Sequence, residues 1–241
     1  MARRVEELRG GLAAAALQAG KRRFREIFPG GFKDPTYLAW ERDYKWAAHQ
    51  AWNATLPAPE WRRLLAAGAY DEVARRISSF YGRSHLNMLA LYEWMALREA
   101  LGDPRGARLL GSGLFELIHG QQGRSDAGFG ARLERFTELL DRAPQRQTGL
   151  AKWPVATLFP FVARPRQHLI LKPRLVKRVA ERYGFDLHYE SRPNARTYGA
   201  YLSFARWLEQ ALAPWRPRDL IDIQGFIWVT ASDEYEDWPW E

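Results

Sequence analysis

Residues 36–55 read TYLAWERDYKWAAHQAWNAT, and this stretch decides the fold class. At about 100° per residue, Tyr37, Trp40, Tyr44, Ala47, Ala48 and Ala51 fall in one sector, the pattern of an amphipathic helix with a core face. The preceding Asp34-Pro35 supplies a capping oxygen and a residue suited to the first turn. The same period runs outward on both sides and predicts helices over 3–19, 59–67, 70–81, 84–101, 104–120, 128–142, 173–183, 194–213 and 219–229. Asp103-Pro104, Lys172-Pro173 and Asn194 punctuate three of the starts. Residues 152–163 read as a buried turn and helix bent by Pro154 and Pro160. Strand period occurs where Phe185, Leu187 and Tyr189 alternate with Asp186 and His188, and Leu169–Leu171 is the natural partner. The expectation is a mainly α, compact multi-helix domain with at most one small β-hairpin near 167–190. A helical body over 1–143, a Pro-rich irregular segment or hinge over 144–172, and a C-terminal helical lobe over 173–241 are its expected parts, or else one continuous domain.

The 241 residues are 46% hydrophobic and 27% charged, enough apolar material for a sizeable core. Lys plus Arg number 36 against 28 Asp plus Glu, a net charge of +8 with pI near 9.9. Only six of those cations are Lys, and the Arg excess reads in part as the codon habit of a GC-rich genome. The absence of Cys excludes disulfides, thiolate metal sites, iron–sulfur clusters and Cys nucleophiles, and is neutral on compartment. Arg3 and Arg4 before Gly10–Gly20 loosely imitate a signal peptide, but an Ala-rich helix explains them better. No apolar run approaches the roughly 18 residues of a membrane span, so the expected setting is cytoplasmic, with no membrane partner. The phosphate-loop, dinucleotide, zincin and nucleophile-elbow signatures are missing. His49, His85, His119, His168 and His188 lie in separate segments without ligand spacing. Neither a metal nor a cofactor is expected.

Three stretches stand out together: FPGGFKDPTYLAWERDYKWAAH at 28–49, KWPVATLFPFVA at 152–163, and PRDLIDIQGFIWV at 217–229. In combination they resemble an uncharacterised family of bacterial proteins of similar length. The resemblance spans nearly the whole chain and implies no activity and no catalytic residues.

The helical phase of 36–55 turns Trp46 away from the core face. Arg42, Trp46, His49 and Asn53, at i, i+4, i+7 and i+11, then share one side of the helix, flanked by Glu41 and Lys45. A cation, an indole, an imidazole and an amide on one stripe suit a base or nucleotide, stacking on Trp while cations meet phosphate. Residues 164–182 carry seven cations against Glu181, and in the helix from Pro173 the residues Arg174, Lys177, Arg178 and Arg182 oppose Leu175, Val176, Val179 and Tyr183. With Lys172 they form a strip suited to salt-dependent phosphate contact. Residues 1–25 add a second basic patch, and Arg196 with Trp207 repeats the theme on 194–213. Within 84–101, apolar almost all round, Glu93 falls among Leu86, Leu89, Ala90 and Leu97, where a carboxylate must be paired, hydrogen-bonded or protonated. In 219–229, Leu220, Ile223, Gln224 and Ile227 form the inner stripe, Asp219 looks like a cap, and Asp222 lies off it. The tail SDEYEDWPWE at 232–241 is acidic and aromatic, suited to covering a basic face or to binding a protein partner.

These features predict a nucleic-acid-binding accessory protein, with DNA preferred over RNA. Two alternatives stand beside it. One is an enzyme for a nucleotide or phosphate-bearing substrate, with Glu93, Glu41 and His49 as acid–base candidates. The other is an assembly factor whose outward Trp residues are interface. Oligomeric state is open.

Overall fold

The computed structural model describes residues 2–83, 86–120, 126–144 and 149–235. The helices are α1 (Ala2–Ile27), α2 (Pro35–Tyr37), α3 (Asp43–Thr55), α4 (Ala58–Ala66), α5 (Tyr70–Arg83), α6 (Leu91–Gly102), α7 (Pro104–His119), α8 (Asp126–Arg142), α9 (Trp153–Ala163), α10 (Pro173–Tyr183), α11 (Ala195–Ala211) and α12 (Leu220–Ala231). Several starts are fixed by side chains that take orphan N–H groups of the first turn. Asp34 accepts from Thr36 at 2.9 Å, Asp103 from Arg105 at 2.8 Å, Asn194 from Thr197 at 2.9 Å and Asp219 from Ile221 at 2.9 Å. Gly184 ends α10 in the left-handed region at φ 66°, where a side chain would be strained. At Gly106 a Cβ would lie 1.9 Å from the Ala100 carbonyl oxygen, so only glycine lets α7 pass the end of α6.

The helices pack round two centres joined in one buried core. Around α7 sit α4, α5, α6, α8 and α9. Around α12 sit α1, α10 and α11. Phe24 anchors the second group among Phe28, Phe32, Tyr37, Trp215 and Phe226, and Trp52 joins the first group to α9 through Phe80, Trp61 and Phe159. The protein is mainly α. Among the described residues no helix is long and apolar enough to cross a membrane.

No strand forms among the described residues, so the expected hairpin is corrected. Neither of its segments is helical, but His188 at φ 47° breaks the extended backbone of the second, and side chains of neighbouring helices replace the ladder. The Tyr198 hydroxyl accepts from the Leu169 N–H at 3.2 Å and donates to the Leu169 carbonyl at 3.0 Å, while Thr157 Oγ1 accepts from the Leu171 N–H at 2.9 Å. Thr197 Oγ1 donates to the His188 carbonyl and accepts from the Glu190 N–H.

Two helical phases also differ from expectation. Residues 38–42 form a π turn between α2 and α3, so the helix runs from Pro35 to Thr55 with one residue too many in that turn. The extra residue rotates everything after it by about 100°. The buried face becomes Glu41, Arg42, Lys45, Ala48, Trp52 and Leu56, and Ala47 and Ala51 turn outward. Trp40, expected in the core, is 45% exposed, with its edge on Phe28, whereas Trp46, expected outside, is half-buried against the core. Trp46→Ala is therefore expected to cost about 1.5–3 kcal/mol and Trp40→Ala about 1 kcal/mol or less, as read by urea unfolding. The opposite order would restore an unbroken α phase.

The second case is α6. It begins at Leu91 rather than 84, and it lies at the surface, with Leu91 74% exposed. Residues 86–90 are irregular, so Glu93 is in the first turn of α6 and not in the middle of a buried helix.

Candidate functional site

A cleft of about 880 Å³ opens where α6, α9 and α10 all begin, facing the C-terminal end of α12. That size suits a small-molecule ligand. Lys152 and Lys172 are the N-cap residues of α9 and α10, and neither helix start has a side-chain cap. The positive ends of these helices therefore meet two ammonium groups at one place. Arg174 and Arg178 add guanidinium groups to the wall.

Each lysine lies over an aromatic ring. The Lys172 ammonium is 4.7 Å from the centre of the Trp228 ring, and that of Lys152 is 4.9 Å from Tyr92. Lys172 is half-buried and has no hydrogen-bond or ion-pair partner among the described residues. Burial lowers its pKa, with Lys45 adding to the effect, while Glu234, Glu93 and Glu41 pull the other way. The acidic side of the cleft comes from Glu93, Asp233 and Glu234. Glu234 accepts the Trp228 indole N–H at 3.1 Å, and Asp233 pairs with Arg178. Glu93 Oε2 accepts the Ala90 N–H at 2.9 Å, closing the first turn of its own helix. Ser232 Oγ, also in the wall, has no hydrogen-bond partner.

The stripe expected on the helix of Trp46 is mostly consumed by packing. Arg42 is buried, with a two-pronged bond to Asp219 at 2.8 Å on each prong and a further bond to Asp222 Oδ1 at 3.0 Å. Burial alone would lower the Arg42 pKa, but the Asp219 hydrogen bond and both carboxylate charges raise it above its usual value. Asp222, read as lying off the inner stripe, is fully buried and also takes bonds from Tyr37 at 2.9 Å and from the Arg218 backbone and guanidinium. Glu41 and Lys45 pair at 2.9 Å below the surface, and the Tyr235 hydroxyl donates to Glu41 at 2.7 Å. The first network joins the stretches 28–49 and 217–229, the second ties 28–49 to Tyr235, and both are structural. His49 holds its proton on Nδ1, bonded to the Val162 carbonyl at 2.8 Å, and its ring meets Trp46 at 4.9 Å. Arg42 lies over the Trp46 ring at 5.7 Å, and Asn53 is exposed.

On α10 the phase is as read: Leu175, Val176, Val179 and Tyr183 are buried. Arg174, Lys177 and Arg182 are exposed, and Arg178 is half-buried. Arg178 and Arg182 donate to the Ala231 and Thr230 carbonyls, capping the C-terminal end of α12. Lys177 lies over Tyr189 at 4.0 Å. On α11, Arg196 is exposed beside His188, and Trp207 is 36% exposed against Tyr183 and Phe204. Residues 232–234 of the tail line the cleft and Tyr235 is buried against Glu41, while 236–241, like His85, lie outside the described residues.

The structure thus brings Lys172, Arg174, Arg178 and Glu93 together and leaves Glu41, His49, Arg196 and Trp207 elsewhere. Sequence reading missed Lys152, Tyr92 and Trp228. A signal existed: Lys152 and Lys172 are two of only six lysines, and each stands just before a helix with Pro in its first turn. Among the described residues no group of three or more His, Asp or Glu is placed to hold a metal ion. No family model matches the chain, and neither a curated protein nor a solved structure is a match for it.

Proposed function

We propose that this chain binds a phosphate-bearing ring compound of the nucleotide class in the cleft between α6, α9, α10 and α12. The observation that carries the reading is Lys172: a desolvated ammonium with no ion-pair partner among the described residues, held on the face of Trp228 at the start of a helix. Lys172, Lys152 and the first-turn N–H groups of α9 and α10 would take the phosphate. Trp228 and Tyr92 offer aromatic surface for the ring, and the unpartnered Ser232 hydroxyl offers a polar contact. Glu93 is the acid–base group within reach for any chemistry on the bound compound. Glu41 and His49 are spent on other partners.

A second reading, a cytoplasmic nucleic-acid-binding accessory protein, is favoured by the exposed Arg174 and Lys177 that continue from the cleft along α10. In that case the cleft holds the end of a strand and α10 its next phosphates, with DNA the first candidate.

Calorimetric titration with adenosine monophosphate, and with mixed oligonucleotides at two salt concentrations, tests both. Losing one charge-assisted contact should weaken nucleotide binding in Lys172→Gln by about tenfold to a hundredfold. Equal binding by the variant would remove the cleft from the account. Oligonucleotide affinity that falls steeply with salt and with Arg174→Ala plus Lys177→Ala would favour the second reading.

A further inference from the structure

Two shallow hollows, of about 600 and about 330 Å³, share no residue with the cleft and lie side by side at the C-terminal half of α1. Arg25 and Trp215 line both and form the ridge between them. The sequence builds the first hollow from one stripe of α1, since Gln18, Lys21, Arg22 and Arg25 stand at i, i+3, i+4 and i+7. The second lies between two loops that Phe32 and Trp215 hold together, ring centres 6.0 Å apart, and these loops bring Lys33 and Arg216 to its wall. Arg216 closes the turn 213–215 with its N–H on the Ala213 carbonyl at 2.9 Å, and its φ is 54°. A residue other than glycine held in the left-handed region costs free energy, and such positions recur where a side chain has to be aimed.

The charges on this surface are unmatched. Arg22, Arg25, Lys33 and Arg216 are exposed, and no side chain among them has a hydrogen bond or ion pair with any described residue. Glu26, the one carboxylate in either wall, pairs at 3.6 Å with Arg23 on the flank of the stripe. Lys21 is spent, because its ammonium donates to the Ala211 carbonyl at the end of α11, at 3.1 Å. Four cations without counter-charges therefore surround one ridge, and their repulsion favours a bound polyanion. The Arg25 guanidinium lies 4.8 Å from the centre of the Trp215 ring, and that ring is set among Phe24, Phe32 and Phe226. The indole thus fixes the arm of Arg25 and leaves its N–H fork for phosphate.

We propose that this face of α1, with Lys33, Trp215 and Arg216, is a docking surface for a single-stranded nucleic acid whose backbone phosphates meet Arg22, Arg25, Lys33 and Arg216. Open hollows on either side of a cation–indole pair suit successive residues of a flexible chain, in which a base can lie on the guanidinium plane. A lipid surface would need an exposed apolar anchor, whereas Trp215 is half-buried against the core. The surface is independent of the cleft, and it lies on other elements than the α10 strip of the second reading.

Fluorescence anisotropy with labelled oligo(dT) and oligo(U) over a series of salt concentrations is the test. Four phosphate contacts predict a slope of log affinity against log salt of about −3, since a single strand gives roughly −0.7 per contact. Arg25→Gln plus Arg216→Gln should flatten that slope by about 1.4 and, by the same relation, weaken binding about 25-fold at roughly 0.1 M salt. Arg98→Gln plus Arg105→Gln, an equal loss of charge at exposed positions on α6 and α7, should change neither. Thermal unfolding confirms that each variant is folded. The tighter of the two strands assigns DNA or RNA. Loss of binding in the Arg25 and Arg216 variant supports the surface whether or not Arg174→Ala plus Lys177→Ala also weakens it. Loss in the α10 variant alone would overturn the surface and leave the second reading standing. Equal losses in the surface and control variants, or tighter binding to a duplex of the same sequence, would overturn it as well. So would no binding of either strand, with or without binding to phosphatidylserine vesicles.

Discussion

Arg42→Ala is expected to lower folding stability by about 3–5 kcal/mol, the largest effect of any single substitution proposed for this chain. The reason is what stays behind. Asp222 is fully buried and Asp219 nearly so, and Arg42 is bound to both. Removing the guanidinium strands two carboxylates at the start of α12, where Asp219 must also cap Ile221. Arg218 still reaches Asp222, from a partly exposed position, and offsets a fraction of the loss. Arg42→Lys should recover little, because a single ammonium cannot reproduce the two-pronged bond to Asp219. Urea unfolding measures the change, with Arg174→Ala, an exposed position, expected within about 0.5 kcal/mol of wild type. A loss below about 1 kcal/mol for Arg42→Ala would mean that Arg42 is free to act on a ligand.

Acid should destabilise the protein well before its carboxylates are protonated. His168 and His119 have folded pKa values of about 3 and about 4. Both lie below the unfolded histidine value near 6.5, so the unfolded chain takes up protons first as pH falls. Stability from these two groups is complete above pH 6.5 and is lost progressively below it. Between pH 7 and pH 5, His168 alone should account for about 2 kcal/mol, and His119, partly open to solvent, for about 1 kcal/mol. His168→Asn should remove the larger share of that pH dependence while lowering stability at pH 7.5. Unfolding at fixed ionic strength is the appropriate measurement. A flat profile from pH 7 to 5 would place both imidazoles in contact with water.

The α character, most helix limits and the inner face of α10 were legible because that helix alternates apolar and polar residues at one unbroken period. Residues 36–55 defeated the same method for two physical reasons. A π turn adds a residue without a sequence mark, and the face it turns inward carries Glu41, Arg42 and Lys45, whose burial is tolerable only because Asp219, Asp222 and Tyr235 arrive from nearly 200 residues away. Pairing over that distance has no local signature. The run 84–101 misled because uniform apolarity was read as burial, whereas Leu91, Tyr92 and Met95 are exposed. The segments 169–171 and 185–189 do show strand-like side-chain patterns, yet Thr157, Tyr198 and Thr197 satisfy their backbones and His188 turns into the left-handed region. Of the cleft, Lys172, Arg174, Arg178 and Glu93 were singled out individually, but nothing in sequence order joins them to Lys152 or Trp228. Three helix starts converge there only in the folded chain.

The most direct measurement of the cleft reading is the set of indole N–H resonances followed by ¹⁵N–¹H spectroscopy during titration with adenosine monophosphate. Trp228 donates to Glu234 at the cleft mouth and Trp153 donates to the Glu190 carbonyl beside it, whereas Trp207 and Trp52 lie elsewhere. The account predicts saturable shifts at Trp228 and Trp153 with Trp207 and Trp52 unmoved, and their loss in Lys172→Gln. Shifts confined to Trp207 or Trp46, or none at Trp228 at any nucleotide concentration, would contradict it.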